Sequence, residues 1–134
     1  MNISEWNQSE DEKTEILDLA MKAFGKCELA NPNFFDWQYK QNPEGGAIII
    51  TVKDPDKNNI IIGVNAFLPM NFILNQKQVK CFLSCNSIVH PDYRKKGIFT
   101  QLISKIPEIF STKQFSSIYG MPNLNSSEIF SKNQ

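Results

Sequence analysis

The chain has little of what would tie it to several familiar protein classes. Its 134 residues include one histidine and no Cys-x-x-Cys pair, so the ligand set of a structural zinc site is missing. Cys27, Cys81 and Cys85 are odd in number and sit among apolar residues. That argues against a disulfide framework, and a reduced, cytoplasmic setting is the expectation. Net charge is missing too, because 14 basic and 14 acidic residues cancel. No global field draws such a chain to nucleic acid or to an anionic membrane, so any attraction for an anion has to be local. No apolar run approaches the length that spans a bilayer, and the polar, acidic N-terminus does not read as a signal peptide. Internal repeats, low-complexity tracts and interdomain linkers are absent as well.

What is present reads as a folded domain. Apolar residues make up 41% and charged residues 21%, which is globular composition. A chain of this length forms one domain, residues 1–134, and buries roughly two-thirds of its unfolded surface.

The first residues, Met1 to Trp6, read as a short edge strand. Ser9 and Glu12 have capping-box spacing, with Ser9 as N-cap and Glu12 reaching back to it. Ile16, Leu17, Ala20, Met21 and Phe24 then share one helical face, and Gly25 is the stop signal. The acids in that first turn are dipole partners rather than catalytic groups. Asn31-Pro32 opens a second, shorter helix whose body holds Phe34, Phe35, Trp37 and Tyr39, ending at Asn42-Pro43-Glu44-Gly45-Gly46. Such aromatic density serves either as a core anchor or as a wall of a substrate cleft.

Three strands follow. Ala47–Lys53 is β-branched and apolar, Ile60–Leu68 pairs back on it, and Val79–His90 is a long third strand. Pro69 is expected to break or bulge the middle strand before Asn71–Leu74. On the third strand, strict alternation puts Val79, Cys81, Leu83, Cys85, Ser87 and Val89 on one face and Phe82, Asn86 and Ile88 on the other. Short turns between the three imply an antiparallel meander.

Pro91 ends the last of these strands, and a basic turn, Tyr93-Arg94-Lys95-Lys96-Gly97, leads into a helix with Ile98, Phe99, Leu102, Ile103 and Ile106 at helical spacing. Strand, basic Gly-containing turn, helix is a recipe for holding an anion. The first N–H groups of a helix lack partners within the helix and sit at the positive end of its dipole. Pro107 falls inside the periodic pattern, so a kink or break is expected near Lys105. Phe115–Gly120 reads as a short strand reached by helical crossover, hence parallel to its predecessor. Met121-Pro122 turns the chain into a last helix, Asn123–Lys132.

Val89-x-Pro91-x-x-Arg94-x-x-Gly97-x-Phe99 resembles the acyl-CoA pyrophosphate loop of the GNAT superfamily of N-acyltransferases. That loop is Arg or Gln, two residues, Gly, one residue, then Gly or Ala, entered from a strand ending in Val-x-Pro. Phe99 departs from the small final residue. Two further motifs resemble a bacterial branch of the superfamily: Trp37-x-Tyr39-x-x-Asn42-Pro43-x-Gly45 before the sheet, and Gly120-x-Pro122-Asn123-x-Asn125-Ser126 after the fifth strand. The resemblance covers nearly the whole chain and implies an α/β (α+β) fold. Its sheet is mixed, an antiparallel meander plus one parallel strand, flanked by about four helices.

The resemblance also implies the chemistry. The chain would transfer an acyl group, most simply acetyl from acetyl-CoA, to an amine of a small molecule or sugar, with no metal. Backbone N–H groups of Arg94, Lys95, Lys96, Gly97, Ile98 and Phe99 would cradle the pyrophosphate. Ile88 and Val89 would offer backbone hydrogen bonds to pantetheine, Asn123 would be a further cofactor contact, and Ser126 the small residue that follows it. The tyrosine that often protonates the leaving thiolate falls on Phe130, which has no proton to give. His90 as a base and Tyr119 as an acid are the weak catalytic candidates. A strand-end histidine is otherwise an exposed residue, and a strand tyrosine a core one. Cys85 lacks a basic partner in the sequence and reads as a small buried hydrophobe. The superfamily usually continues into a final hairpin near the point where this sequence stops, so the expectation is a further segment, a second copy of the chain that supplies the missing strands, or a fold that keeps an open, association-prone edge. Two other readings compete with catalysis: a non-catalytic acyl-CoA-binding module, and an interaction domain that kept the fold.

Overall fold

The computed structural model describes residues 1–113, 115 and 117–120. The expected Met121-Pro122 turn and Asn123–Lys132 helix lie outside the described residues.

Strand β1 (Asn2–Glu5) leads to helix α1 (Glu10–Phe24), then to a short helix α2 (Pro32–Phe35) that loosens into a π-helical turn over Asp36–Lys40. Strands β2 (Ile48–Asp54), β3 (Ile60–Leu74) and β4 (Lys77–Val89) form the meander. Helix α3 (Ile98–Phe110) crosses over to β5 (Ser117–Gly120). The sheet order is β1-β2-β3-β4-β5, antiparallel throughout except for the parallel β4–β5 pair. The described part is thus the mixed sheet expected from the sequence.

Alternation along the strands divides the core in two. Under α1 and α2, Trp6, Ile16, Leu19, Phe35 and Tyr39 pack on Ile49, Ile61, Val64, Ala66 and Ile88. Under α3, Ile98, Leu102 and Phe110 pack on Ile48, Ile50, Val52, Ile62, Phe67 and Phe82. Phe110 sits edge-on to Phe67, Phe82 and Phe115, with ring centroids 4.9, 5.3 and 5.4 Å away. Between α1 and the π turn, Lys13 Nζ donates to Asp36 Oδ1 at 2.8 Å, and this bond holds the Asp36 carboxyl below the usual carboxylate range.

Several expectations are corrected. Pro69 does not interrupt β3: it pairs with Phe82 in a continuous register. Pairing with β2 ends at Phe67, so past that point β3 is an edge strand among the described residues, the setting in which a proline fits. Nor does Pro107 break α3, which runs on to Phe110. The aromatic cluster around Phe110 fixes the last turn, and that packing offsets the lost hydrogen bond. Ser9 does cap α1 by accepting from Glu12 N at 3.2 Å, but Glu12 Oε2 accepts from Asn7 N at 2.8 Å rather than from the cap residue. The Ser9 N–H is taken by Asn7 Oδ1 instead. The strict alternation expected along β4 also fails, for a reason that lies at the site.

Candidate active site

The site is built on the C-terminal half of β4. The parallel pairing with β5 runs from Cys81↔Ser117 to Ser84↔Gly120 and goes no further among the described residues. From Cys85 to Val89, β4 keeps β3 on one side and has no strand partner on the other among those residues. On that open edge, alternate residues turn their backbone N–H and C=O outward.

Within the same stretch, β4 bulges. Val64 pairs with Ile88 and Ala66 with Cys85, so Asn65 alone faces the pair Asn86 and Ser87. Asn86 takes a left-handed φ of 52°, which asparagine tolerates better than most residues. The extra residue resets the alternation. Cys85 and Ile88 both join the core under α1, whereas strict alternation assigns them to opposite faces.

Side chains hold the bulge from both faces. On the α3 side, Asn65 is fully buried, and its Oδ1 accepts from Ser87 Oγ at 3.0 Å and Ser84 Oγ at 3.3 Å, spanning the irregular step. On the α2 side, Asn86 Nδ2 donates to Gln38 Oε1 at 2.9 Å and to the Tyr39 hydroxyl at 2.7 Å. Burial keeps the Tyr39 phenol protonated well above the usual range, with the Asn86 bond opposing in part. Burial also pushes the Cys85 thiol up to about 11, which leaves it a poor nucleophile.

Beyond Val89 the chain enters the basic turn. His90 N donates to Ile62 O at 2.8 Å, closing the strand, and His90 Nδ1 accepts from Asp92 N at 3.1 Å, capping the Pro91–Tyr93 turn. The Tyr93 hydroxyl donates to Asp54 at the end of β2. That bond lowers the Asp54 pKa and raises that of Tyr93. Arg94 Nη2 reaches back to Ala23 O, 3.3 Å away in the last turn of α1, and Lys96 Nζ lies 5.5 Å from the centre of the Tyr93 ring. Lys95 and Gly97 both have left-handed backbone, with φ of 63° and 74°. A Cβ on Gly97 would meet nothing within 4 Å, so the space in front of the helix start is open. Ile98 is buried against Gly63, where a Cβ would come within 3.2 Å of Ile98 Cγ2. Phe99 is half-buried, and Arg94, Lys95, Lys96 and Gly97 are exposed. Open backbone, a helix start and three cations thus stand together, the features from which an anion site is built.

Two clefts flank these features on the α1–α2 side. One, of about 270 Å³, is lined by Trp37, Gln38, Gln41, Asn42, Pro43 and Leu68. Gln38 joins it to the Asn86 bulge. The aromatic helix therefore does both jobs that its sequence allowed. Phe35 and Tyr39 are core, stacked edge-on at 4.8 Å, while Trp37 is 63% exposed along the cleft. The other cleft, of about 170 Å³, brings His90 together with Glu15, Asp18, Leu19, Lys22, Ile60 and Ile61. His90 is not the exposed strand-end residue of the sequence reading, since its side chain is only 16% exposed. Tyr119 is not core: it is 53% exposed, opposite Leu83, with its ring edge-on to Phe72. Asn123, Ser126 and Phe130 lie outside the described residues. Among the described residues, no three His, Cys, Asp or Glu side chains stand together as metal ligands.

Sequence reasoning missed Gln38, Asn65 and Asn86 as a group. The available signal was polar: Asn65 and Asn86 interrupt otherwise apolar strands, and a buried amide has to be hydrogen-bonded.

The same architecture recurs in solved structures. A glucosamine-6-phosphate N-acetyltransferase from Arabidopsis thaliana superposes with a TM-score of 0.70 at 9% identity, over 99% of this chain and 90% of that one. An aminoglycoside acetyltransferase from an uncultured soil metagenomic sample gives 0.71 at 15% identity, over 99% and 90%. An aminoglycoside 6'-N-acetyltransferase complexed with coenzyme A gives 0.62 at 19% identity, over 90% and 61%. At these identities the likeness shows the fold alone. No curated protein matches by sequence. The model of the acetyltransferase (GNAT) domain family matches residues 7–130, and the chain belongs to that family. No described helix is long and apolar enough to cross a membrane.

Proposed function

We propose that the chain is an N-acyltransferase that moves an acyl group, most simply acetyl from acetyl-CoA, to the amine of a small molecule or sugar. The observation that carries this is the edge of β4 from Cys85 to Val89, which has no strand partner among the described residues and runs directly into the Gly97 turn. A long thioester with a pyrophosphate at one end needs an extended backbone edge for its amide-containing arm and an anion cradle beyond it. The chain offers the two in that order. Ile88 and Val89 would bind the arm, and the backbone of residues 94–99 the phosphates, with Arg94, Lys95 and Lys96 supplying positive potential. Phe99 is half-buried, and a Cβ on Gly97 would meet nothing within 4 Å. Asn123 would add a contact from beyond the described residues.

The Trp37 cleft would take the acceptor. Its described lining is one exposed indole, two glutamines, an asparagine, Pro43 and Leu68, which suits a ligand with hydroxyls and an apolar ring face. Aminolysis of a thioester needs a neutral amine lined up with the carbonyl carbon. Holding both partners in register supplies much of the rate, and water can relay the amine proton. Neither His90, whose Nδ1 caps its own turn, nor the exposed Tyr119 lines the Trp37 cleft.

The test is turnover of acetyl-CoA with a panel of amino sugars and small amines, read as CoA release and acetylated product by chromatography. Amine-dependent product supports the proposal; CoA binding without product from any amine would favour a non-catalytic acyl-CoA module, the reading that Phe130 keeps open.

A further inference from the structure

We propose that the Tyr39 hydroxyl, aimed by Asn86, donates a hydrogen bond to the carbonyl oxygen of the bound acyl group. It thereby stabilises the negative charge that grows there as the amine attacks. The inference rests on the acyltransferase reading above.

Asn86 Nδ2 has two N–H groups, one directed to Gln38 Oε1 and the other to the Tyr39 hydroxyl oxygen. Tyr39 therefore accepts from Asn86, and its own O–H proton has no acceptor among the described residues. The hydroxyl sits at the β4 bulge. Tyr39 is buried, and the Asn86 amide that bonds it belongs to the β4 stretch proposed to hold the thioester and also bonds Gln38, which lines the acceptor cleft. Its ring is fixed edge-on against Phe35 at 4.8 Å, so the donor is oriented before any ligand arrives. Asn86 can aim it only because the bulge gives that residue a left-handed backbone and turns its side chain towards α2.

Because burial disfavours the phenolate, the group suits a hydrogen-bond donor that keeps its proton rather than an acid that gives it away. The bonds balance without it. The amine nitrogen bonds to the carbonyl carbon, and the carbonyl electron pair moves onto the oxygen facing Tyr39. It then returns as the carbon–sulfur bond breaks. The nitrogen loses its proton to water, and the thiolate gains one from water.

Tyr39→Phe removes the hydroxyl, both the proposed donor and the acceptor of one Asn86 N–H, and keeps the ring packing. The measurements are steady-state kinetics with acetyl-CoA and glucosamine, and the infrared carbonyl band of 13C-labelled acetyl-CoA bound without amine. The expected result is a kcat lower on the order of 10²-fold to 10³-fold, as for loss of one oxyanion donor. KM for acetyl-CoA should change far less than kcat, since the bond to a neutral carbonyl is weak and strengthens as charge grows on the oxygen. The bound carbonyl band should move to higher frequency. Asn86→Gly, which tolerates the left-handed backbone but frees the hydroxyl, should move the band the same way. An unmoved band in Tyr39→Phe overturns the inference whatever happens to kcat, because a structural role alone would leave the carbonyl unchanged. A wild-type protein that transfers acetyl to no amine fails the acyltransferase reading itself; a wild type that turns over while Tyr39→Phe matches it fails this inference only.

Discussion

Replacing Gly97 by leucine separates a ligand cradle from an ordinary turn. Gly97 has a φ of 74°, and a Cβ there meets nothing within 4 Å. The added Cβ meets no neighbour, so the cost in the free protein is taken as that of the left-handed backbone, about 1–2 kcal/mol for an L-residue. A 134-residue domain unfolds with an entropy of about 0.28 kcal/mol/K near its midpoint, so that cost lowers Tm by roughly 4–7 °C. The side chain would project into the space in front of α3, where the phosphates are proposed to bind. Saturating CoA at ~100 times its Kd should stabilise the wild type by about 2.7 kcal/mol, which on the same entropy raises Tm by roughly 10 °C. The leucine variant should show the small loss of intrinsic stability and almost none of the CoA-dependent rise. Thermal unfolding with and without CoA reads both quantities at once. A variant that still gains roughly 10 °C with CoA would refute the cradle, and the turn would be only a turn.

Two further outcomes test the frame around the site. Phe110→Ala empties the aromatic cluster under α3 and should cost about 3–5 kcal/mol, read as a lower urea midpoint; a loss below ~1 kcal/mol would show that α3 is held by something else. Tyr93→Phe removes the bond to Asp54. Asp54 has a lowered pKa, so its contribution is present above the ordinary carboxylate value of about 3.9 and is lost as pH falls through the lowered one. Tyr93 has a raised pKa, so its contribution is present below about 10 and is lost as pH rises through the raised value. The urea-midpoint difference between wild type and Tyr93→Phe should therefore be equal at pH 6 and pH 8 and shrink towards pH 3; a difference undiminished at pH 3 would contradict the assigned bond.

The elements were legible where local chemistry sets them. Ser9 announces α1, Asn31-Pro32 announces α2, and polar turns mark the ends of the meander strands. The crossover from β4 to a parallel β5 follows from handedness once α3 is recognised. What escaped was decided by tertiary contacts. Pro69 and Pro107 are breakers by local rules, yet one stands where β3 has become an edge and the other one turn before the Phe110 cluster. Local pattern puts Asn86 in a strict period of two, and the single extra residue at the bulge reverses every assignment after it. The anion turn was visible because Gly97 and its basic neighbours are contiguous in sequence. The Gln38–Tyr39–Asn86 cluster was not, because its members lie 47 and 48 residues apart and meet only through the bulge.

The central claim is that the start of α3 and the edge of β4 left without a strand partner among the described residues together bind acyl-CoA. Calorimetric titration of the protein with CoA tests it most directly. The account predicts one saturable site per chain, weakened by salt because the Arg94-Lys95-Lys96 cluster contributes through its charge. Titration to millimolar CoA with no saturable heat, and no change in Tm over the same range, would contradict it.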